Sequence, residues 1–275
     1  MDYFKGKRAV ITGASSGMGR SLAQQLNSAG CDVWLADINA DGLTAVAAEL
    51  DERRAQVHTR VIDVADKDAM FAWAAEIGEK AESVDLVVNN AGVALMAQAK
   101  EMSFEDFEWL MGINFWGVVY GSQAFLPLLE KSPRGHLVNI SSVFGMIAVP
   151  TQSAYNAAKF AVRGYTEALR QELDLEDSTV KVCCVHPGGI ATNIARSARN
   201  ADPSVTAYEM ASNFERFAKT SPEEAARQIL RAASKGQRRL LIGRDARMIG
   251  LITRLFPESY FRFFRSETSA INEMS

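Results

Sequence analysis

Short apolar runs alternate with longer amphipathic stretches along this chain, and that alternation restricts the fold more than any other feature of the sequence. Runs with the composition of strands occupy residues 9–11, 32–36, 56–62, 84–88, 136–140, 180–185 and 238–242. Continuously apolar strands separated by helices indicate a parallel sheet that is covered on both faces. We therefore predict an α/β fold: a single doubly wound domain whose seven-stranded, mostly parallel sheet carries helices on both faces.

Two segments depart from this alternation and indicate how the chain is organised. The pattern runs through residue 243, so we predict one domain over residues 1–243. Within that domain residues 188–220 lack the pattern, and we expect a substrate lid at 189–220. Residues 244–275 form a C-terminal extension of amphipathic composition.

The charge and the cysteine content argue against several classes of protein. The formal net charge is −3 and basic residues cluster only in short runs such as Arg238-Arg239, which argues against nucleic-acid binding. The three cysteines lack CxxC spacing and the three histidines are scattered, so we predict a reducing compartment and no metal site. The N-terminus has no signal-peptide core, and no run reaches the roughly 20 apolar residues of a membrane span. We therefore expect a cytoplasmic protein.

A glycine-rich loop, TGASSGMG, joins the first strand to the first helix. A helix N-terminus at the carboxyl end of a strand offers unpaired N–H groups and a positive dipole end to a pyrophosphate. Gly13 permits a tight turn, Gly17 lets the backbone approach a ligand, and Gly19 allows close packing of helix on strand. Ser15 and Ser16 add hydroxyl donors. The loop therefore predicts a dinucleotide site.

Two other interpretations of the same loop stay open at this point. Its spacing is GxxxGxG rather than GxGxxG, so a glycine-rich connection without a ligand is one alternative. GASSG also has the GxSxG pattern of a nucleophile elbow, which makes a serine hydrolase that uses Ser15 the second. Two features argue against the hydrolase: Ser15 follows the first strand, and His186 is the only histidine late enough in the chain to act as its base.

A carboxylate at the end of the second strand predicts which dinucleotide binds. Asp37 lies 18 residues after Gly19, where a carboxylate can accept hydrogen bonds from both ribose hydroxyls of an adenosine. The same charge would repel a 2′-phosphate, and Ile38 offers no compensating cation. We therefore expect NAD(H) rather than NADP(H).

Further motifs follow the glycine loop at a spacing that resembles the short-chain dehydrogenase/reductase family over about residues 5–243. They are Asp63-Val64 after the third strand, NNAG (residues 89–92) after the fourth, Asn114 in INFWG, Ser142 in NISS, Tyr155 and Lys159 in YNAAK, and HPGGIAT (residues 186–192). The resemblance implies a Rossmann-type fold. It also implies a dinucleotide held by Gly13, Ser15, Ser16, Gly17, Met18, Gly19, Asp37, Asp63, Val64, Asn90, Ala91, Gly92, Tyr155, Lys159, Pro187, Gly188, Ile190 and Thr192.

The pair Tyr155 and Lys159 stands four residues apart, so both side chains can point into one cleft from one helix face. A core tyrosine beside a surface lysine is the alternative. Proton transfer at neutral pH requires the pKa of a tyrosine to fall by about three units, or about 4 kcal/mol. One ammonium at about 4 Å supplies about 4 kcal/mol at an effective dielectric of about 20. We therefore expect Lys159 to lower the pKa of Tyr155.

The resemblance assigns catalytic roles to Asn114, Ser142, Tyr155 and Lys159. Tyr155 would exchange a proton with the substrate hydroxyl and Ser142 would hydrogen-bond the same oxygen. Lys159 would also bind the nicotinamide ribose, and Asn114 would anchor a water that links Lys159 to solvent. The implied reaction is hydride transfer between NAD(H) and a secondary alcohol or ketone. A dinucleotide-binding redox sensor without turnover is the alternative from another class. Family members form homodimers or homotetramers through the helices that carry Asn114 and Tyr155.

Apolar residues on the expected substrate side predict a hydrophobic alcohol or ketone, with packing of the lid as the alternative. They are Leu95, Met96, Met146, Ile147, Val149, Met210, Phe214 and Phe217. Arg196 and Arg199 are expected on a solvated helix face, with an anionic group of the substrate or a carrier protein as the alternatives.

The C-terminal extension is predicted to contain an amphipathic helix that Pro257 ends. The sequence places Met248, Ile249, Leu251, Ile252, Leu255 and Phe256 on one apolar face, with Arg247, Gly250 and Arg254 opposite. Such a helix is typical of a lid or a subunit contact, which we favour here, or of a helix on a membrane surface.

Overall fold

Seven parallel strands form the central sheet of the protein. The computed structural model describes residues 2–192, 194, 198–200 and 218–263. The strands of the sheet are β1 (Arg8–Thr12), β2 (Asp32–Asp37), β3 (Val57–Val61), β4 (Leu86–Asn89), β6 (His136–Ile140), β7 (Lys181–Pro187) and β9 (Arg239–Ile242). Their order is β3-β2-β1-β4-β6-β7-β9, and every neighbouring pair is parallel. The predicted doubly wound α/β fold is therefore confirmed.

Helices connect successive strands and cover the sheet. They are α1 (Gly17–Ser28), α2 (Ala40–Glu49), α3 (Lys67–Lys80), α4 (Phe104–Met111), α5 (Gly117–Glu130), α6 (Ser153–Leu175), α7 (Pro222–Ser234) and α8 (Arg244–Leu255). A π-helical turn, Gly112–Trp116, joins α4 directly to α5. A separate pair of short strands, β5 (Leu95–Met96) and β8 (Arg199–Asn200), lies outside the main sheet. No helix in the described ranges combines the length and hydropathy needed to cross a bilayer.

The core consists of two layers, one on each face of the sheet. Successive residues of a strand point to opposite faces, so Val10 and Ile11 enter different layers. Ile11 packs with Leu22 of α1 and Ile229 of α7, whereas Val10 packs on the side of Trp73 and Phe125. Both faces are therefore buried, which explains why the strands are continuous apolar runs rather than alternating ones.

The order of the strands creates a crevice at the carboxyl edge of the sheet. β1 lies between β2 and β4, and the chain runs outward in opposite directions from these two neighbours. The loops after β1 and β4 diverge at such a reversal, and ligands of open α/β sheets bind there. The glycine loop and the NNAG segment both open into this crevice.

Buried amides tie the two central strands to the helix that carries Tyr155. Asn89 and Asn139 are register neighbours on β4 and β6, and Nδ2 of Asn89 donates to Oδ1 of Asn139 at 2.8 Å. Nδ2 of Asn139 in turn donates to the hydroxyl of Thr166 on α6 at 3.1 Å. Buried polar groups that are paired in this way hold elements in one arrangement. These hydrogen bonds from β4 and β6 therefore fix the position of α6 over the crevice.

Helix α8 ends at Leu255, just before Pro257, as the sequence predicts. The apolar residues predicted for this helix are only partly covered by the protein. Ile249 is buried against the residues that follow β6, whereas Met248, Leu251 and Leu255 are exposed beside the arginines. The sequence pattern could not show that the helix packs on the protein through its narrow Ala246–Ile249 side.

Candidate active site

The glycine loop leaves the N-terminus of α1 open towards the crevice. Ser16 precedes the helix in an extended conformation, and its side chain accepts no hydrogen bond from the first turn. Gly13 has φ of 67°, and a Cβ built on it would lie 2.7 Å from Cα of Ala91. Only glycine lets the two loops approach this closely. The loop therefore presents uncapped N–H groups at a positive helix end, which suits a pyrophosphate.

The loop after β4 clasps the glycine loop. The N–H groups of Asn90 and Ala91 donate to the hydroxyl of Thr12 at 3.0 and 3.1 Å. Nδ2 of Asn90 donates to the carbonyls of Thr12 and Gly13, each at 3.0 Å. The side chain of Asn90, predicted to contact the dinucleotide, thus braces the loop that would hold the phosphates.

The residues predicted at the adenosine end lie at the ends of β2 and β3. Asp37 accepts a hydrogen bond from the N–H of Ser15 at 2.9 Å through one oxygen and from that of Asn39 at 3.0 Å through the other. A carboxylate oxygen has two lone pairs, so each retains capacity for a ribose hydroxyl. Asp63 is exposed and accepts from the N–H of Ala65, whereas Val64 is buried.

The four residues predicted to be catalytic meet at the bottom of the crevice. Nζ of Lys159 lies 5.6 Å from the centre of the Tyr155 ring and donates to the carbonyl of Ile140 at 3.1 Å. Asn114, in the π-helical turn, makes two hydrogen bonds of 2.8 Å with the backbone of Val93. A Cβ built on Gly92 would lie 3.1 Å from Oδ1 of Asn114 and 3.6 Å from Nζ of Lys159. The π-helical turn thus places the side chain of Asn114 beside Gly92, and such turns are frequent at functional sites.

Burial dominates the ionisation of the tyrosine and the lysine. It raises the pKa of Tyr155 to about 12, and hydrogen bonding by Ser142 lowers that pKa only in part. Burial also lowers the pKa of Lys159 to about 8. Removal of a charge from water disfavours tyrosinate and ammonium alike. The expectation that Lys159 lowers the pKa of Tyr155 is therefore wrong for the protein chain by itself.

The segment after β7 lies across the glycine loop. The backbone N–H of Gly188 donates to the carbonyl of Ile242 at 2.9 Å, and that of Ala191 to the carbonyl of Thr220 at 2.9 Å. A Cβ built on Gly17 would lie 3.1 Å from the methyl group of Thr192. Pro187 is the last residue of β7, and Ile190 is buried in the core layer that contains Ile11. Of the predicted cofactor residues in this segment, Thr192 thus contacts the glycine loop, whereas the side chain of Ile190 packs inward.

Sequence reasoning missed three residues that position the predicted site. Oδ2 of Asp245 accepts from the backbone N–H of Gly189 at 2.8 Å. The hydroxyl of Tyr260 accepts from the N–H of Ala148 at 3.0 Å. His186 donates from Nδ1 to the carbonyl of Ser142 at 2.9 Å, and burial lowers its pKa to about 4, so the ring is neutral. Of these three residues, only Asp245 could have been singled out from the sequence, because it is an acidic residue in the first turn of the helix after the last strand.

The contacts of His186 leave Ser15 without the base that a hydrolase needs. Its Nδ1 is directed to the Ser142 carbonyl, and its Nε2 has no hydrogen-bond partner among the residues that the structure describes. The geometry therefore does not support a serine hydrolase.

The side chains expected around the substrate divide into buried and partly exposed groups. Leu95, Met146 and Ile147 are buried in packing clusters, and Met96 and Val149 are partly exposed. Arg199 forms an ion pair with Asp106 at 3.2 Å and lies 3.7 Å above the ring of Trp109. Arg196, Met210, Phe214 and Phe217 lie outside the described residues.

The buried lysine predicts a characteristic dependence of stability on pH. The pKa of Lys159 lies near 8 in the folded protein against an ordinary value of 10.5. Between these values the unfolded chain holds more protons, so stability rises with pH. The unfolding free energy of the wild type should rise by about 2 kcal/mol relative to Lys159→Met from about pH 7.5 to about pH 9.5. Urea unfolding at both pH values measures this difference.

The same substitution at exposed Lys235 is the matched control. It should give a difference from the wild type that stays constant over this pH range. A constant difference for Lys159→Met as well would show that Lys159 is not held in a buried, partly neutral state.

Comparison with known proteins identifies the family. A family model described as short chain dehydrogenase matches residues 7–203. A Mycobacterium tuberculosis protein named SadH is 46% identical over 263 residues, which cover 95% of each chain. The dehydrogenase/reductase SDR family member 7B of Xenopus tropicalis is 33% identical, with 95% of this chain and 85% of the relative covered.

Solved structures agree with this assignment. A short chain dehydrogenase/reductase from Burkholderia phymatum in complex with NAD superposes with a TM-score of 0.80 at 30% identity, and the match covers 87% of this chain and 90% of the other. The fold, the glycine loop and the ordered motifs at one sheet edge all lead to the same conclusion. The chain belongs to the short-chain dehydrogenase/reductase family, a family of oxidoreductases.

Proposed function

We propose that this protein transfers a hydride between NAD(H) and a hydrophobic secondary alcohol or ketone, with Tyr155 as the general acid or base. The observation that supports this most directly is the meeting of Ser142, Tyr155 and Lys159 beside an uncapped helix N-terminus. Ser142 lowers the pKa of Tyr155 in part, and the ammonium of Lys159 lies 5.6 Å from the centre of the Tyr155 ring. A protein that only sensed the dinucleotide would need no proton-transfer pair.

The chain holds the parts of a dinucleotide with separate elements. The residues that would hold it are those of the glycine loop, Asp37 at the ribose, Asp63 and Val64 at the adenine, the loop after β4, and the segment after β7 across the nicotinamide. When bound, the nicotinamide supplies or accepts the hydride. The chain's task is to orient the reacting carbon, to exclude water and to move one proton.

Tyr155 performs the proton transfer and Ser142 orients the substrate oxygen. Ser142 is held by backbone contacts: His186 donates to its carbonyl, and its hydroxyl accepts from the N–H of Phe144 at 3.1 Å. The pKa of Tyr155 is about 12 in the chain by itself, so the tyrosine is a proton donor at neutral pH. A positive charge that arrives beside the phenol would favour tyrosinate and permit the reverse reaction.

Lys159 is prepared to contact the nicotinamide ribose from a buried position. Its single described hydrogen bond, to the carbonyl of Ile140, uses one of three ammonium protons and leaves two for other acceptors. Asn114 holds the backbone at Val93 on the far side of Gly92 and thereby sets the floor of the site. We assign it an anchoring role for water next to Lys159.

The preference for NAD(H) is supported by the surroundings of Asp37. Two backbone N–H groups fix its carboxylate, and the next residue, Ile38, is 67% exposed. A 2′-phosphate would meet a fixed negative charge with no cation beside it at this position.

The substrate is proposed to be hydrophobic because the surroundings of Tyr155 are apolar. The ring of Phe144 meets that of Tyr155 edge to face at a centroid distance of 6.1 Å. Val93, Met102 and Phe107 are partly buried in the cluster that includes Tyr155. A charged substrate body would lose its hydration here without gaining a partner.

The described surface also supports association through α5 and α6. Trp116, the last residue before α5, is 46% exposed, and Phe160 on α6, the residue after Lys159, is 41% exposed. Large exposed apolar side chains on neighbouring elements are typical of an interface. We propose that these two helices form the contact in a homodimer or homotetramer.

Asp245 is proposed as a positioning residue for the segment that covers the nicotinamide. Its carboxylate accepts from the N–H of Gly189, and it lies so close to Gly188 and Gly243 that a Cβ at either would collide with it. A loop with two glycines has high conformational entropy, and a charge-assisted hydrogen bond restricts it. The closed arrangement of residues 187–192 thus depends on a side chain from α8.

Tyr155→Phe should lower turnover by about 10²–10⁴-fold, because the substitution removes the transferred proton and keeps the ring. The measurement is NADH oxidation over a panel of hydrophobic ketones, with NADH binding followed by fluorescence. Binding should stay within about twofold of the wild type, since no ring contact is lost. The matched control is Tyr165→Phe on the same helix, which should keep its activity. Turnover near the wild-type level in Tyr155→Phe would refute the assignment.

Asp37→Ser should shift the cofactor preference, because it removes the charge that opposes a 2′-phosphate. The KM for NADH should rise about tenfold as ribose hydrogen bonds are lost, and the KM for NADPH should fall. Steady-state assays with both cofactors measure the ratio. Asp68→Ser, at the start of α3, should leave that ratio unchanged. Equal effects on the two cofactors in Asp37→Ser would contradict the proposed preference.

Asp245→Ala should raise the KM for NADH and lower kcat by about tenfold, because the N–H of Gly189 loses its acceptor. Asp245→Asn keeps an acceptor oxygen and should restore most of the activity. The two variants are compared by steady-state kinetics and by thermal melting. If both lose activity in proportion to lost stability, Asp245 has only a structural role.

A further inference from the structure

Exposed apolar side chains are concentrated on the C-terminal segment 244–263. They are Met248, Leu251, Leu255, Phe256, Phe261 and Phe263, each between 39% and 61% exposed. We call this set the C-terminal face. Phe256 and Phe263 pack against each other with ring centres 5.1 Å apart, so the face continues from α8 into the residues after Pro257. A continuous apolar surface of this kind marks an interaction site.

The opposite side of the segment is attached to the protein, so the C-terminal face cannot turn inward. Ala246 and Ile249 are buried against Val143, Met146 and Ile147. Asp245 binds the N–H of Gly189, and Tyr260 binds that of Ala148. The apolar residues therefore stand on a fixed support and point away from it.

The charges on the segment indicate the chemistry of the partner. Arg244, Arg247, Arg254 and Arg262 are all exposed. Within the described part of the chain, no carboxylate lies within ion-pair distance of these four arginines. Glu258 is the one exposed acid of the segment, although the chain as a whole carries a net charge of −3. A partner that matches this face is apolar and anionic.

An anionic lipid surface matches both properties better than a second copy of the chain. A two-fold contact through the C-terminal face would bring four arginines against the same four, and like charges oppose such a contact. At a bilayer the aromatic and aliphatic side chains enter the boundary with the acyl chains, and arginines reach the headgroups along their apolar stems.

We propose that the C-terminal face binds peripherally to anionic membranes. The binding involves no spanning helix and is independent of the reaction proposed above. It uses α8 and the aromatic residues that follow, oriented by the contacts of Asp245 and Tyr260. Asp245 is hydrogen-bonded to Gly189 in the segment after β7, and Tyr260 to Ala148 among the residues after Ser142. A bound bilayer would therefore lie next to the elements that carry the proposed substrate side.

Flotation with vesicles of phosphatidylcholine containing about 30% phosphatidylglycerol tests this inference on the full chain. We expect the protein to float with these vesicles, to stay behind with pure phosphatidylcholine, and to be released at high salt. Leu251→Ser/Leu255→Ser and Arg247→Glu/Arg254→Glu should each weaken binding at least about tenfold. The control is Phe104→Ser, since Phe104 is 89% exposed on α4 and is not part of the C-terminal face.

Circular dichroism confirms that the variants are folded, and light scattering measures their mass. Failure of the wild type to float with anionic vesicles would overturn the proposal. It would also be overturned if Phe104→Ser and Leu251→Ser/Leu255→Ser weakened vesicle binding by the same amount. A drop in mass in the leucine variant, without lipid, would assign the face to a second copy of the chain instead. Loss of vesicle binding with unchanged mass and unchanged turnover in solution supports a membrane site.

Discussion

The clasp between the loops after β1 and β4 is the contact on which the rest of the site depends. Thr12 accepts from two N–H groups of the β4 loop, and Asn90 returns two hydrogen bonds to the glycine loop. β1 and β4 are paired up to Ile11 and Val88, and the chain leaves their ends in opposite directions, so the clasp keeps the two loops together. The clasp holds the N-terminus of α1 open on one side and fixes Gly92, between Asn114 and Lys159, on the other. The groups proposed for phosphate binding and for proton transfer thereby share one rigid base.

The groups proposed for proton transfer reduce the stability of the fold, because they are ionisable and buried. A lysine is buried beneath the crevice with its pKa lowered to about 8, and a tyrosine beside it has its pKa raised to about 12. Both shifts mean that the folded chain disfavours the charged forms. Such shifts cluster at functional sites, because a group that changes its ionisation there can respond to a ligand's charge. The buried asparagines of β4 and β6 hold α6 in place despite this penalty.

The C-terminal segment serves the site and the surface at the same time. Its inner side supplies Asp245 to the segment after β7 and Tyr260 to the residues after Ser142. Its outer side presents apolar residues and arginines to the surroundings. A ligand on the outer side would bind a segment that is hydrogen-bonded to two loops of the site. Contact of this kind is a physical route by which surface binding can influence a crevice.

The alternation of apolar runs and helices by itself determined the sheet, because a strand buried on both faces must be apolar throughout. The glycine loop and the order of the motifs likewise identified which residues would gather at the carboxyl edge, since parallel strands end on one side. Tertiary structure decided what depends on packing between distant residues. Sequence spacing puts Lys159 near Tyr155, but only their common burial sets the direction of both pKa values. Likewise, the side of α8 that is buried follows from Ala246 and Ile249 meeting Met146 and Ile147. The apolar pattern of a helix shows which residues can be buried, but not the shape of the surface on which the helix packs.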